Sequence, residues 1–378
     1  LNKADALDNN AYGGAVYIEF QQPASFTNVT FSDNQAKGGA GAYGSGGAIY
    51  NFGTATLSNC NFSFNSAQHY TVSGLQANGG AIHNNRNMTV QDSILSNNSA
   101  QGYGGNIYNS KQLDTHLTTV RYGSAFEGGG IYIPSVGEAY IERTAVYSNT
   151  AGQSGGGIFT SGKLLLENSS LIDNLAEWGG GGLINNGELT IFLTTISKNT
   201  AASPSIAEYG GGIYNFGNKP VNIVQSTIDN NLATLGGGIY NSSTLTMTIL
   251  ASTIRDNQGT SGAAGIYNLG PLVIRDSTFS ANKSGTDGGA LYNQSVVHVA
   301  NSTFSGNEAR RNGGAINNSV GASVYLNNVT ITLNKADTDT VFDPIGDGGG
   351  IYNANAGAIT LRNSLVAGND DMTSEASP

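Results

Sequence analysis

Two short motifs alternate along the whole chain, and their spacing restricts the fold more than any other feature. The first is two small residues, then Gly or Ala, an aliphatic, usually Tyr and usually Asn. Clean copies are Gly46-Gly47-Ala48-Ile49-Tyr50-Asn51, Gly236-Gly237-Gly238-Ile239-Tyr240-Asn241 and Gly348-Gly349-Gly350-Ile351-Tyr352-Asn353. Thirteen copies occur, with aliphatics at Val16, Ile49, Ile82, Ile107, Ile131, Ile158, Leu183, Ile213, Ile239, Ile266, Leu291, Ile316 and Ile351. The second motif is Ser-Thr-Phe/Ile-x-x-Asn, often followed by x-Ala, as in Ser302-Thr303-Phe304-Ser305-Gly306-Asn307. From the third residue of the Gly motif to the next Asn the step is always 17 or 19 residues, whereas from that Asn to the next Gly motif it runs from 7 to 16. A change of two preserves which face of a strand each residue occupies, so nearly all length variation belongs to one connection.

Each repeat reads as three short strands that alternate apolar with polar: the Gly motif, a period-two pair of aliphatics such as Leu272/Ile274 or Val297/Val299, and the Thr-Phe motif. One such repeat cannot bury its apolar face, but a stack of them can. The expectation is an all-β, right-handed parallel β-helix of about 13 coils, rising roughly 4.8 Å per coil. Residues 1–369 are expected to form a single domain whose first coil is incomplete, and 370–378 a tail that loses the pattern. Composition agrees. The chain has 54 Gly and 45 Asn in 378 residues and only 11% charged residues. Gly and Asn disfavour helix, low charge argues against disorder, and no apolar run is long enough for a transmembrane helix. The net charge of −10, with 16 Lys and Arg and no basic cluster, argues against a nucleic-acid partner.

Residue roles follow from the alternation. The aliphatics of the Gly motif and Phe31, Phe62, Phe279 and Phe304 point inward. The Asn of the second motif recurs at Asn34, Asn65, Asn98, Asn149, Asn174, Asn199, Asn231, Asn257, Asn282, Asn307, Asn334 and Asn369, with Gly123 in the one deviant copy. These residues are expected to stack amide on amide at coil corners. Tyrosines beside the inward aliphatics, such as Tyr17, Tyr50, Tyr240 and Tyr267, form an outward file whose first role is stacking along itself, and His83 replaces Tyr there. Cys60 takes a Ser place and is expected to be buried and inert.

The paired Gly-Gly-Ala-Ile and Phe-x-x-Asn motifs resemble the repeats of the chlamydial polymorphic membrane proteins and related β-helical surface proteins of environmental bacteria. The resemblance covers essentially the whole chain and implies surface display, adhesion and self-association. Chlamydial members carry a C-terminal autotransporter barrel, whose pattern is not visible in this sequence.

Function is expected outside the core. Connections 35–45, 66–78, 200–209 and 335–347 emerge at one edge, where repeat proteins carry binding. Tyr43, His69, Tyr70 and Tyr209 lie in them and are the candidate contacts for a glycan, a host or neighbouring cell surface, or a second copy. Asp337, Asp339, Asp343 and Asp347 make the densest acidic segment and are candidate calcium ligands, the one cofactor considered. Asp229 and Arg255 fall at equivalent places on neighbouring strands and are expected to pair. No catalytic residues emerge, so an enzyme is not expected. The alternative is a polysaccharide lyase or glycoside hydrolase, since β-helices host both. Ice binding is disfavoured, because the file two residues beyond the Thr column mixes Ser32, Arg121, Tyr147, Asp229 and Arg255. The reading is an extracellular structural or adhesive β-helix, self-associating into a filament or surface layer.

Overall fold

A computed structural model describes residues 2–5, 9–39, 42–69, 77–203, 208–338 and 347–372. Among them every regular element is a strand. The chain divides into two compact units, Leu1–Leu189 and Thr190–Pro378, and each unit repeats one coil. A coil of the second unit runs through Ile239–Asn241, Met247–Leu250, Thr253–Arg255 and Gln258–Gly259. The next coil stacks on it in parallel register, with Ile239 against Ile266, Ile249 against Ile274 and Ile254 against Phe279. The first unit does the same with Ile107–Asn109, Gln112–His116, Thr119–Arg121 and Ser124–Ala125. The architecture is a parallel β-helix in each. The coil also carries a fourth strand, which the sequence shows only as the x-Ala after the ladder asparagine. Its alanines, including Ala67, Ala151, Ala233 and Ala309, are buried, because only a small side chain fits between two corners so close together.

The interior is filled by columns that run from coil to coil. Ile49, Ile82, Ile107 and Ile131 are fully buried, and burying each is worth about 1.5–3 kcal/mol. Phe31 lies flat on Phe62 at 4.7 Å, and Phe279 on Phe304 at 4.7 Å. The corners are turned by single left-handed residues. Between the second and third strands these include Asn168 (φ 47°) and Asn301 (φ 50°), and between the third and fourth Asp173 (φ 55°) and Asp256 (φ 54°). Asn and Asp tolerate that region better than other side chains, which is why Asn recurs just before the Ser-Thr strand. Where the first place of the Gly motif is left-handed it has to be Gly: at Gly236 (φ 66°) an added Cβ would stand 2.2 Å from the Ile239 carbonyl oxygen.

The asparagines form a continuous buried ladder in the second unit. Asn199 Nδ2 donates to Asn231 Oδ1 at 3.0 Å, Asn231 to Asn257 at 3.0 Å, Asn257 to Asn282 at 3.0 Å, Asn282 to Asn307 at 2.9 Å, Asn307 to Asn334 at 2.8 Å and Asn334 to Asn369 at 2.8 Å. Each amide also serves the backbone. Asn257 Oδ1 accepts the Asn231 N–H at 3.0 Å, and its Nδ2 donates to the Ile228 carbonyl at 3.0 Å. A second ladder, formed by the last residue of the Gly motif, runs Asn215, Asn241, Asn268, Asn293, Asn318 and Asn353 with steps of 2.8–3.0 Å. A third uses hydroxyls: the N–H of Ser226 donates to Ser252 Oγ, and that of Ser252 to Ser277 Oγ, each at 3.1 Å. Polar groups buried at the corners are thereby paired, which avoids a penalty of about 1–3 kcal/mol for each orphan.

In the first unit the deviant coil is repaired. Gly123 stands where an Asn is expected, and Asn106, in the Gly/Ala place of the Gly motif, fills the gap. Asn98 Nδ2 donates to Asn106 Oδ1 at 2.8 Å, and Asn106 Nδ2 to Asn149 Oδ1 at 3.1 Å. The exchange is steric as well as polar, since a Cβ on Gly123 would lie 2.3 Å from Asn106 Nδ2.

Candidate functional site

The two longest early connections meet. Tyr43 and His69 form an antiparallel bridge. The Tyr43 N–H donates to Asn10 Oδ1 at 3.1 Å, and the His69 N–H to Gln101 Oε1 at 2.7 Å. Partial burial and the neighbouring Tyr12 push the Tyr43 hydroxyl above its ordinary range. Tyr70 lies outside the described residues. Tyr209 belongs to the second unit and pairs with Leu235. Its ring packs on Tyr240 at 4.7 Å and Tyr214 at 5.6 Å, so it is part of an aromatic stack as well as a connection. Of the acidic segment, Asp337 is buried at a left-handed corner (φ 53°) and its N–H donates to the Arg311 carbonyl at 3.1 Å. Asp347 is exposed, and its N–H donates to Asn312 Oδ1 at 3.0 Å. Asp339 and Asp343 lie outside the described residues, and among those described no group of three or more acids, histidines or cysteines gathers as a metal site.

The tyrosine file stacks along itself. In the first unit Tyr17 lies on Tyr50 at 5.5 Å, Tyr50 on His83 at 4.7 Å, His83 against Tyr108 at 4.5 Å, Tyr108 on Tyr132 at 5.5 Å and Tyr132 on Phe159 at 4.7 Å. In the second, Tyr240, Tyr267 and Tyr292 stack at 5.2 and 4.7 Å. Burial within the file pushes the hydroxyls of Tyr50 and Tyr267 up to about 12 and the His83 imidazole down to about 3. Tyr12 and Tyr103 join the file, Tyr12 on Tyr50 at 4.5 Å and Tyr103 on Tyr132 at 4.3 Å. The sequence signal was available: both, like Tyr209, immediately precede the glycines.

The outer face of the second strands holds a polar network in the first unit that sequence reasoning missed. His116 Nδ1 lies 3.0 Å from Glu142 Oε2, and the Tyr140 hydroxyl donates to Glu167 Oε2 at 2.9 Å. Glu142 and Glu167 are register partners on adjacent strands. Partial burial and both carboxylates push the Tyr140 hydroxyl up to about 12. These acids seem scattered only when counted along the chain; aligned by coil they fall in one file. In the second unit Arg255 and Asp229 pair at 2.8 Å, as their equivalent places require. Cys60 is buried, its Sγ directed at the Ser58 carbonyl at 3.4 Å.

Residues 124–304 match the family model described as a right handed beta helix region. Residues 28–51 and 301–319 match the model of the Chlamydia polymorphic membrane protein repeat. The first of these spans one Thr-Phe motif, its ladder Asn34 and the following Gly motif through Asn51. No curated protein and no solved structure matches the chain. No helix among the described residues is long and apolar enough to cross a membrane.

Proposed function

We propose, for a chain that is a right-handed β-helix with polymorphic membrane protein-type repeats, that it is displayed outside the cell as a structural and adhesive module. The repeat type supports surface display. The observation that carries adhesion is the edge where Tyr43 and His69 tie two variable connections together, while the interior asparagines are committed to one another. A module of this kind acts by contact with a cell surface or a second copy of itself, not by turnover. The test compares wild-type protein with Tyr43→Ala/His69→Ala and with Tyr209→Ala for binding to whole cells. Light scattering and negative-stain images are recorded alongside. Loss of cell binding or of multimers in the edge variants is expected. Full retention of both would overturn the reading.

A second reading, a polysaccharide-acting enzyme, is favoured by one observation, the register-paired Glu142 and Glu167 with His116 and Tyr140 attached. Glycosidases use two carboxyl groups about 5–9 Å apart. Release of reducing ends from polysaccharide by wild type, abolished in both Glu142→Gln and Glu167→Gln, would establish it in place of the first.

A further inference from the structure

The second unit carries a different surface on its second strands. Arg275, Ala300, Asn327 and Arg362 end Leu272–Arg275, Val296–Ala300, Ser323–Asn327 and Ala358–Arg362 and follow one another in register. Two residues earlier, His298 and Tyr325 lie in the neighbouring outward file with rings parallel at 4.7 Å. Thr360, the next partner of Tyr325, has no ring, so among the described residues the second face of Tyr325 is not stacked. Tyr325 is 42% exposed. Small Ala300 between larger neighbours opens a groove of about 490 Å³ bordered by these seven side chains. Arg275 and Arg362 form no ion pair among the described residues, and the four strands contain no acid. The carboxylate next to Arg275, Asp276, accepts a bond from Asn301 Nδ2 at 3.0 Å.

We infer that this groove binds an acidic saccharide. Two uncommitted guanidinium groups three coils apart, roughly 14 Å, suit carboxylates or sulfates repeated along a chain. An exposed ring face suits the apolar face of a pyranose, and the Asn327 amide can both donate to and accept from hydroxyls. A nucleic acid offers similar chemistry, but the net charge of −10 opposes a polyanion of that charge density. The inference concerns a site apart from the connection edge and holds wherever the protein is displayed.

Titration of the full chain with polygalacturonate, followed by calorimetry, tests it. Dextran serves as the neutral control; polyaspartate and single-stranded DNA serve as charge controls. Polygalacturonate is expected to bind, with dextran inert and the charge controls weaker. Arg275→Gln and Arg362→Gln should each weaken binding about tenfold, a typical loss for a charge-assisted contact. Tyr325→Thr, which places the residue of the next coil in the file, should weaken it comparably. All three positions face outward, and unchanged melting shows that the variants fold. Absence of polygalacturonate binding, binding unchanged in the variants, or equal binding of polyaspartate or DNA would each overturn the inference.

Discussion

The two units share the columns of their interior and differ most outside. Both stack aliphatics and amides in the same columns. Yet the outward residues of the second strands include Asp114, Glu138, Glu142, Glu167 and Glu188 with a single Lys163 in the first unit, against Arg275 and Arg362 in the second. The interiors differ too, in completeness. The second unit keeps both asparagine ladders unbroken. The first replaces the second ladder with Ile133 and Thr160 after Asn109, leaving Thr160 Oγ1 buried without a partner among the described residues, and repairs the other with Asn106. The difference teaches that the repeat constrains what lies inside. An outward position contributes nothing to the stack that another polar residue would not, so it is free to acquire charge of either sign.

The sharpest way to break the comparison is to remove one rung from each unit. Asn257 donates to Asn282 Oδ1 and the Ile228 carbonyl and accepts from the backbone and side chain of Asn231. Asn257→Ala should cost about 3 kcal/mol, because it strands several buried groups at once. Asn106 accepts one short bond, from Asn98 Nδ2 at 2.8 Å, but its own amide donates at longer range, 3.1 Å to Asn149 Oδ1 and 3.3 Å to the Arg121 carbonyl, so Asn106→Ala should cost about 1–2 kcal/mol. Urea unfolding reads both. An equal or reversed order would mean that the substituted rung is as good as the native one.

A second effect, of similar size at most, separates the two aromatic files by pH. His83 stands between Tyr50 and Tyr108 in the first unit, fully enclosed, with its imidazole held down at about 3. An unfolded histidine takes its proton near 6.5. Between those values the unfolded state binds the extra proton, so stability falls as pH drops from about 6.5 toward 3, by at most about 1.4 kcal/mol per pH unit from this group. Tyr267 in the second unit has no such liability on the acid side; its hydroxyl, held up at about 12, instead costs stability above pH 10. His83→Tyr should flatten the melting temperature of the protein between pH 6 and 4. An unchanged slope would show that the ring protonates in place.

The columns were legible because they depend on period alone: Ile49, Phe62 and Asn65 could be numbered without a structure. The fourth strand was not, since two residues such as Gln258–Gly259 carry too little pattern to announce a strand. The second ladder was visible only as a recurring Asn, because nothing in the sequence distinguishes an amide that bonds its neighbour from one that faces water. The groove was hidden for another reason. Arg275, Ala300, Asn327 and Arg362 are separated by unequal steps, and only the register of the stacked strands brings them into one file. Likewise Tyr43 and His69 were named as edge residues, but their bridge depends on how two connections of different length fold on each other.

The corners offer the finest distinction. Both units turn from second to third strand through one left-handed residue. Each unit uses both kinds of residue there, Asn168 and Leu117 in the first, Asn301 and Leu193 in the second; Leu117 (φ 48°) is half exposed, whereas the amide of Asn301 (φ 50°) donates to Asp276 Oδ1 and accepts from Asn328 Nδ2. A leucine in that region carries about 1 kcal/mol of steric cost that asparagine largely escapes. Leu117→Asn should therefore stabilise the protein by roughly 0.5–1 kcal/mol, and Asn301→Leu should destabilise it by about 1 kcal/mol, both read from urea midpoints. The reciprocal pair controls for the exposed apolar surface, which changes in opposite directions in the two variants. If both variants lost stability, the corner would be selected by its local packing, and the recurrence of Asn before the Ser-Thr strand would need a cause other than backbone conformation.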